Sequence, residues 1–386
     1  MDIKVANRLL ATEEYYFSKK LREIDAMNKS GAQVINLGIG SPDLPPHPDV
    51  IKVLNEESAK ATTHGYQSYK GSPVLRQAMA DWYARYYHVQ LDAERDILPL
   101  IGSKEGIVHI CMTYLQAGDE ALVPNPGYPA YTSAVRLTEA TIVPYELCAE
   151  NQWLPDLEAL EKRDLSKVKL MWINYPHMPT GALATYDLFE RVIAFGRKHN
   201  ILICHDNPYS FILNDKPMSI FSVPGAMDVA IELNSLSKSS NMAGWRVGML
   251  VAHPDRIAEI MRFKSNMDSG MFLPLQLAAA VALQLEATWY TQLNEEYGIR
   301  RKKVEAIMDL LGCTYDPQQV GLFVWARIPD DATDCYAVTD DVLDKAHVFI
   351  TPGGIFGSSG NRYIRISLCA KTEVLDQAIE RIKTIR

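Results

Sequence analysis

No Cys-x-x-Cys pair occurs in the 386-residue chain; its six cysteines, Cys111, Cys148, Cys204, Cys313, Cys335 and Cys369, are scattered singly. Their spacing is unlike that of zinc sites and disulfide frameworks, so no metal centre is expected and a reducing compartment is implied. No apolar run approaches the roughly 18–20 residues that a membrane span requires. The first twenty residues interleave Lys4, Arg8, Glu14, Lys19 and Lys20 with apolar ones, leaving no signal-peptide core. A soluble, cytoplasmic protein without a membrane partner is the expectation. Basic residues are in deficit as well, 39 Lys plus Arg against 47 Asp plus Glu. The net charge of -8 repels a phosphate backbone and argues against a nucleic-acid partner. Repeats and low-complexity tracts are missing, and the 47% hydrophobic and 22% charged content is ordinary for a globular chain of two or three domains.

What the chain does carry is alternation. Short β-branched or apolar runs at Ile97–Ile101, Ala121–Pro124, Val168–Ile173, Ile201–His205, Val229–Leu233 and Arg246–Val251 read as strands, with amphipathic stretches between several of them. Ile107, Ile110, Cys111, Tyr114 and Leu115 recur at helical spacing up to Gly118. Tyr186–His199 does the same with Leu188, Val192, Ile193 and Phe195, up to Asn200. Strand and helix in turn predict an α/β domain with a mostly parallel central sheet and helices on both faces. Beyond it, two long helical stretches, Leu275–Tyr297 and Ile299–Leu311, precede strands near Leu322–Ile328 and Tyr363–Leu368 and a closing helix from Glu373. That is the outline of a smaller α+β domain. The Gly- and Pro-rich span Gly38–Pro48 reads as an extended linker. The expected division is 1–45 as an N-terminal arm and part of the small domain, 46–270 as the large α/β domain and 271–386 as the small C-terminal domain.

An open parallel sheet binds ligands beyond the carboxyl ends of its strands. Polar clusters follow four of the runs: Gly102-Ser103-Lys104, Asn174, Asp206-Asn207-Pro208-Tyr209 and Ser235-Leu236-Ser237-Lys238. Gly102-Ser103 at the opening of a helix presents backbone N–H groups that suit a phosphate, although serine is also a common N-cap. Arg246 offers the same phosphate a permanent cation and Ser235 a hydroxyl; a surface arginine ahead of a strand is the bland alternative. Lys238 lies in a run of small and polar residues, Ser235 to Ala243. An amine there, near Arg246, would have a lowered pKa and attack an aldehyde, whereas most lysines are simply solvated. Asp206 follows a buried-type run, so its carboxylate should meet a cation or a protonated ring nitrogen unless it caps a turn. A phosphate cradle, a nucleophilic lysine and a carboxylate for a heteroaromatic nitrogen are what pyridoxal 5'-phosphate requires.

The same segments resemble a known family. Ser235 to Arg246, with a serine three before Lys238 and an arginine eight after it, is similar to the cofactor-lysine signature of the class I/II aminotransferases of the fold-type I pyridoxal-phosphate enzymes. Asp206-Asn207-Pro208-Tyr209 resembles their D-x-x-Y element. Asn174-Tyr175-Pro176-His177-Met178-Pro179-Thr180-Gly181 resembles their N-P-T-G loop, with Met178 in place of the asparagine. The likeness runs from about Asn36 to Leu368. It implies that Lys238 bonds to the cofactor's aldehyde and carries the proton between substrate and cofactor, that Asp206 keeps the ring nitrogen protonated, that Tyr209 bonds the phenolic oxygen and that Tyr128 stacks on the ring. Ser103 and Lys104 (through backbone N–H groups), Ser235 and Arg246 would hold the phosphate, joined by Tyr66 from the neighbouring subunit of a homodimer with shared sites. Arg365 would clamp the substrate α-carboxylate, with Ile39 and Gly40 beside it and Gly40 offering a backbone N–H. A thioether at Met178 has no donor, so Tyr209 would be the sole side-chain donor to the phenolic oxygen unless Asn174 or a water moves in. The ordinary alternatives are half-buried aromatics for Tyr66 and Tyr128 and a strand-edge surface charge for Arg365.

Transamination is the reaction the resemblance implies, a ping-pong transfer of an amino group from an L-amino acid to a 2-oxo acid. The subgroup containing alanine and LL-diaminopimelate aminotransferases is the most similar. Dicarboxylate-specific members place an arginine in the segment that is Asn266–Pro274 here, which contains none, disfavouring a narrow aspartate enzyme. A carbon–sulfur β-lyase on the same fold and a non-catalytic cofactor-binding regulator are the alternatives. The regulator would need a DNA-binding extension, and residues 1–35 are too short and not basic enough. Gly38-x-Gly40 and Tyr66-x-x-x-Lys70 hint at a nicotinamide dehydrogenase, but the third glycine is missing and prolines follow in place of a helix.

Overall fold

The β-branched runs pair as their alternation predicts. The computed structural model describes residues 1, 3–10, 14 and 16–385. A two-residue strand β1 (Ile35–Asn36) comes first, followed by β2 (Ile97–Leu100), β3 (Glu120–Asn125), β4 (Thr141–Glu146), β5 (Val168–Asn174), β6 (Leu202–Asp206), β7 (Ala230–Ser235) and β8 (Gly248–Ala252). Among the described residues, the latter seven form one sheet in the order β2-β8-β7-β6-β5-β3-β4. Strands β4, β3, β5, β6 and β7 run parallel, and β8 is antiparallel to both of its neighbours. Successive side chains on a strand face opposite sides. Leu98, Val123, Trp172, Cys204 and Ile231 pack with the helices Ser103–Tyr114, Pro129–Leu137 and Pro254–Lys264. Leu122, Met171, Ile203 and Ala230 pack with Leu157–Glu161 and Tyr186–His199 on the other side. Cover on both faces explains why these strands read as near-continuous apolar runs.

Strand β4 is not among the expected strands. Pro144 interrupts its run, and proline is tolerated there because β4 is the edge, paired among the described residues with β3 alone.

Toward the C-terminus lie β9 (Thr314–Tyr315), β10 (Phe323–Arg327), β11 (Val348–Phe349), β12 (Thr351–Pro352) and β13 (Tyr363–Ser367). They give an antiparallel sheet β12-β13-β10-β9, while β11 takes β1 as a parallel partner. Ile35 and Leu37 thereby join the core built from Val324, Val348 and Ile364.

The two long helical stretches divide elsewhere than expected. The break falls at Leu285–Glu286, both extended, and the helix Ala287–Leu310 runs on through Gly298. A Cβ on Gly298 would meet nothing within 4 Å, so the glycine faces open space. Its helix penalty of ~1 kcal/mol is offset by the buried face that Tyr297, Arg300 and Val304 present. The break comes where the packing partner changes. Leu273–Gln284 packs on the helices Pro48–Ser58 and Pro73–Tyr87, and Ala287–Leu310 on β10 and the closing helix Thr372–Lys383. Among the described residues no helix is long and apolar enough to cross a membrane.

Candidate active site

Sheet register gathers the polar clusters. Asn174 pairs with Asp206, Asp206 with Leu233, and Ser235 with Gly248, which faces Leu100 across the next ladder. The carboxyl ends of β2, β5, β6 and β7 and the amino end of antiparallel β8 therefore share one edge. A cavity of about 280 Å³ lies over it.

One corner is built for an anion. Gly102 is the N-cap of the helix Ser103–Tyr114, with φ +80° and no side-chain cap bond. Ser103 is thus the first helical residue and not the cap, and the helix start keeps its positive character toward the cavity. A Cβ on Gly102 would collide with the Arg246 guanidinium, and one on Gly248 would lie 2.6 Å from Ser103 N. Only glycines let the cation and the helix start come this close. Arg246 adopts φ +57°, a left-handed conformation uncommon for a non-glycine residue, and its Nη1 donates to Ala243 O at 2.9 Å. Ser235 and Ser237, whose hydroxyls lie 3.0 Å apart, complete the corner with Lys104. Burial, aided by the Arg246 charge, lowers the Lys104 pKa.

Asp206 lines the cavity, 3% exposed. Its Oδ2 accepts from Tyr131 Oη at 2.8 Å, whereas its Oδ1 is buried with no partner among the described residues. Burial pushes this carboxyl up to about 6, against the Tyr131 bond and the charge of His205, which lower it. Tyr131 is itself fixed by stacking on Trp172, with ring centroids 5.0 Å apart. Lys238 donates from Nζ to Gly40 O. Burial lowers its pKa; the Cys369 thiol opposes this, and the charges of Arg365 and Arg246 add to it.

Arg365 is not a strand-edge surface charge. It lies on β13, interior in its sheet, and is 4% exposed. Its guanidinium carbon stands 3.8 Å from the Phe323 ring centroid and 4.6 Å from that of Phe356, and Nη2 donates to Gly38 O at 2.8 Å. Nη1 donates to Met178 Sδ at 3.2 Å. Asn174 fixes Met178 from the sheet side: its Oδ1 accepts from Met178 N at 2.7 Å and its Nδ2 donates to Asp206 O at 2.6 Å.

The sequence-predicted residues Ile39, Gly40, Ser103, Lys104, Tyr128, Asn174, Met178, Asp206, Tyr209, Ser235, Lys238, Arg246 and Arg365 all line this cavity. Tyr66 does not; it is 95% exposed. Sequence reasoning passed over Tyr131, Ser237, Phe17, Phe323 and Phe356, which line it too. Tyr131 had a signal, since it lies three residues after Tyr128 and so on the same side of a helix that opens at Pro129. Phe17 had none, because only tertiary packing brings the helix Tyr16–Lys29 to the cavity. Among the described residues one cluster of metal-ligand type, Glu105, His109 and Asp268, forms apart from the cavity. There the Lys264 ammonium, 2.5 Å from both Asp268 oxygens, already supplies a cation.

These residues fit pyridoxal phosphate on three observations: a partnerless buried Asp206 Oδ1 for a ring N–H, an uncapped helix start beside Arg246 for the phosphate, and a buried lysine amine of lowered pKa. Comparisons with known proteins agree. The family model described as aminotransferase class I and II matches residues 32–382. The LL-diaminopimelate aminotransferase of Oleidesulfovibrio alaskensis is 40% identical over 384 residues, 99% of each chain, and that of Desulforudis audaxviator is 40% identical over 385 residues, 99% of this chain and 98% of the relative. The substrate-bound BacF structure from Bacillus subtilis superposes with a TM-score of 0.94 at 36% identity, covering 100% of this chain and 98% of that one. The chain therefore belongs to the class I and II aminotransferases and is a pyridoxal-5'-phosphate-dependent transaminase of fold type I, moving an amino group from an L-amino acid to a 2-oxo acid.

Proposed function

We propose that the cavity residues divide this reaction among them. The observation that carries the reading is that Lys238, Asp206, Arg246 and Arg365, far apart in sequence, converge on one cavity. When bound, pyridoxal phosphate supplies an aldehyde that takes up amino groups and a ring that withdraws electrons from the substrate α-carbon. Arg246, Ser235, Ser237 and the N–H groups of Ser103 and Lys104 bind the phosphate. Asp206 Oδ1 accepts the ring N–H while Tyr131 holds Oδ2 in place. Tyr209 donates to the phenolic oxygen and Tyr128 covers one ring face. Arg365, pre-positioned over Phe323 and by Gly38 O, takes the α-carboxylate with its planar fork. Lys238 Nζ moves the α-proton, a role that the lowering of its pKa by burial favours. Phe17, Ile39 and Phe356 keep water from the reacting atoms.

The proposal extends to assembly and substrate. Two chains form a homodimer in which Tyr66 reaches the partner's phosphate corner, and the enzyme works in the cytoplasm. Residues 46–270 act as the cofactor-binding unit and 1–45 with 271–386 as the smaller one, the helix Leu273–Gln284 packing back on the large unit. LL-diaminopimelate is the proposed amino donor, a reading that the named relatives support. The test is to add amino acids singly to the holoenzyme and follow the cofactor spectrum. A donor converts bound aldehyde to amine with no oxo acid present. LL-diaminopimelate should do so at lower concentration than alanine or aspartate; a spectrum indifferent to it removes the substrate proposal.

A further inference from the structure

On the sheet face opposite the cavity, β6 and β7 set two ionisable side chains against each other. His205 and Glu232 are register partners, and both are fully buried. Glu232 Oε1 accepts from Tyr83 Oη at 2.7 Å and Ser219 Oγ at 2.9 Å; Oε2 accepts from Ile220 N at 2.9 Å and lies 2.8 Å from His205 Nδ1. The other ring nitrogen, Nε2, lies 3.0 Å from Tyr175 O. A backbone carbonyl only accepts, so Nε2 carries hydrogen. Glu232 already receives three neutral donors, the pattern of an ionised carboxylate, to which an Nδ1–H would be a fourth. A carboxylate buried this deeply requires a countercharge, which a doubly protonated His205 would supply.

Asp206 is the next residue on β6, so its side chain emerges on the cavity face. We propose that His205, held doubly protonated by Glu232, is a positioning residue for transamination: its fixed charge behind the sheet keeps Asp206 ionised, and its bond to Tyr175 O anchors the loop that carries Met178. The inference rests on the reading that Asp206 meets the cofactor's ring nitrogen. Burial alone raises the Asp206 pKa, and a protonated Asp206 would offer a ring N–H no negative charge to hold its proton; the His205 charge and the Tyr131 hydroxyl are the two influences that lower it. Facing His205 are Glu232 from β7 and the Phe189 ring at 5.0 Å, with Tyr83 from the helix Pro73–Tyr87 bonded to the far oxygen of Glu232; facing Asp206 is Tyr131. A rigid cation in the low-dielectric interior acts on Asp206 without touching substrate.

The experiment uses holoenzyme reconstituted with cofactor ¹⁵N-labelled at the ring nitrogen, in wild type, His205→Gln and Glu232→Gln. The nitrogen shift is followed against pH, beside kcat and KM for one amino acid. Wild type should hold the pyridinium form through neutral pH. His205→Gln should lose it at a pH lower by about one unit, with kcat reduced roughly tenfold and KM changed less than threefold, because Arg365 is untouched. Glu232→Gln should shift it in the same direction. A folded His205→Gln enzyme with the wild-type nitrogen titration overturns the proposal. An unprotonated ring nitrogen in wild type overturns the Asp206 reading, and the inference with it. Should the variants not fold, ¹⁵N-histidine spectra of wild type decide: one buried histidine with both ring N–H protons protected from exchange supports the proposal, and a single ring proton at His205 sinks it.

Discussion

A carboxylate with one oxygen bonded and the other bare is an unusual burial, and Asp206 makes the residue-scale consequences measurable. Its folded pKa is raised from an ordinary 3.8 to about 6, so between those values the folded cofactor-free protein binds a proton that the unfolded chain has released. The associated stability is present below about pH 4 and lost as pH rises through 6, on the order of 2–3 kcal/mol. Urea midpoints of cofactor-free wild type and Asp206→Asn should therefore diverge across that window; parallel curves would mean that Asp206 titrates normally. Tyr131→Phe removes one hydrogen bond to that charged group, worth about 1.5–3 kcal/mol. Cofactor affinity, read by equilibrium dialysis, should weaken roughly 10- to 100-fold, and an unchanged value would make Tyr131 mere packing. Lys238→Ala should retain cofactor through Arg246 and the serines yet lose roughly 10³-fold or more of its turnover. Wild-type turnover in that variant would sink the lysine's assigned role.

At the scale of elements, the chemistry depends on how two strands and a helix meet. Gly102 and Gly248 let the Arg246 guanidinium and the helix start at Ser103 share one corner. Gly102→Ala meets both a positive φ and the guanidinium, so stability should fall by about 1–3 kcal/mol and phosphate-dependent cofactor affinity by about tenfold. Ordinary affinity, measured by fluorescence titration, would show that Arg246 lies elsewhere when loaded. Much of this was legible because the sheet is parallel: apolar runs end together, so the residues just after them fall on one edge. Asn174, Asp206 and Ser235 needed no more than that. Illegible were features that depend on packing direction. Gly298 resembles a helix stop in sequence, but the break lies at Leu285–Glu286 where the buried face turns. Pro144 disguises an edge strand, and Phe17, Phe323 and Phe356 come to the cavity from segments with no local pattern that points there.

For the whole molecule, the cavity has a floor from the central sheet and a roof from both chain termini, tied together away from the chemistry. Arg300, 1% exposed, binds Asp43 at 2.5 Å and Leu368 O at 3.1 Å, fixing the segment that presents Ile39 and Gly40. Asn125 reaches Ser358 at 2.8 Å, and Gly127 N donates to Phe356 O at 2.8 Å, fastening the other wall to β3. Tyr66 remains outside. Its segment abuts another: a Cβ on Gly270 would lie 2.6 Å from Ser68 O, and the His64 and Phe272 rings are 5.6 Å apart. Together they expose Tyr66, Tyr69, Met267 and Phe272, a patch of the kind that a second copy covers. If Tyr66 serves the partner's phosphate corner, mixing Lys238→Ala with Tyr66→Phe chains puts both lesions in one site of each mixed dimer and neither in the other. Random mixing makes about half of the dimers mixed, each with one intact site, so activity should reach about a quarter of wild type from those alone. That excess over the average of the two parents, assayed after subunit exchange, is the expected result. Activity equal to the average, or a fully active monomer at high dilution, would place Tyr66 within its own subunit.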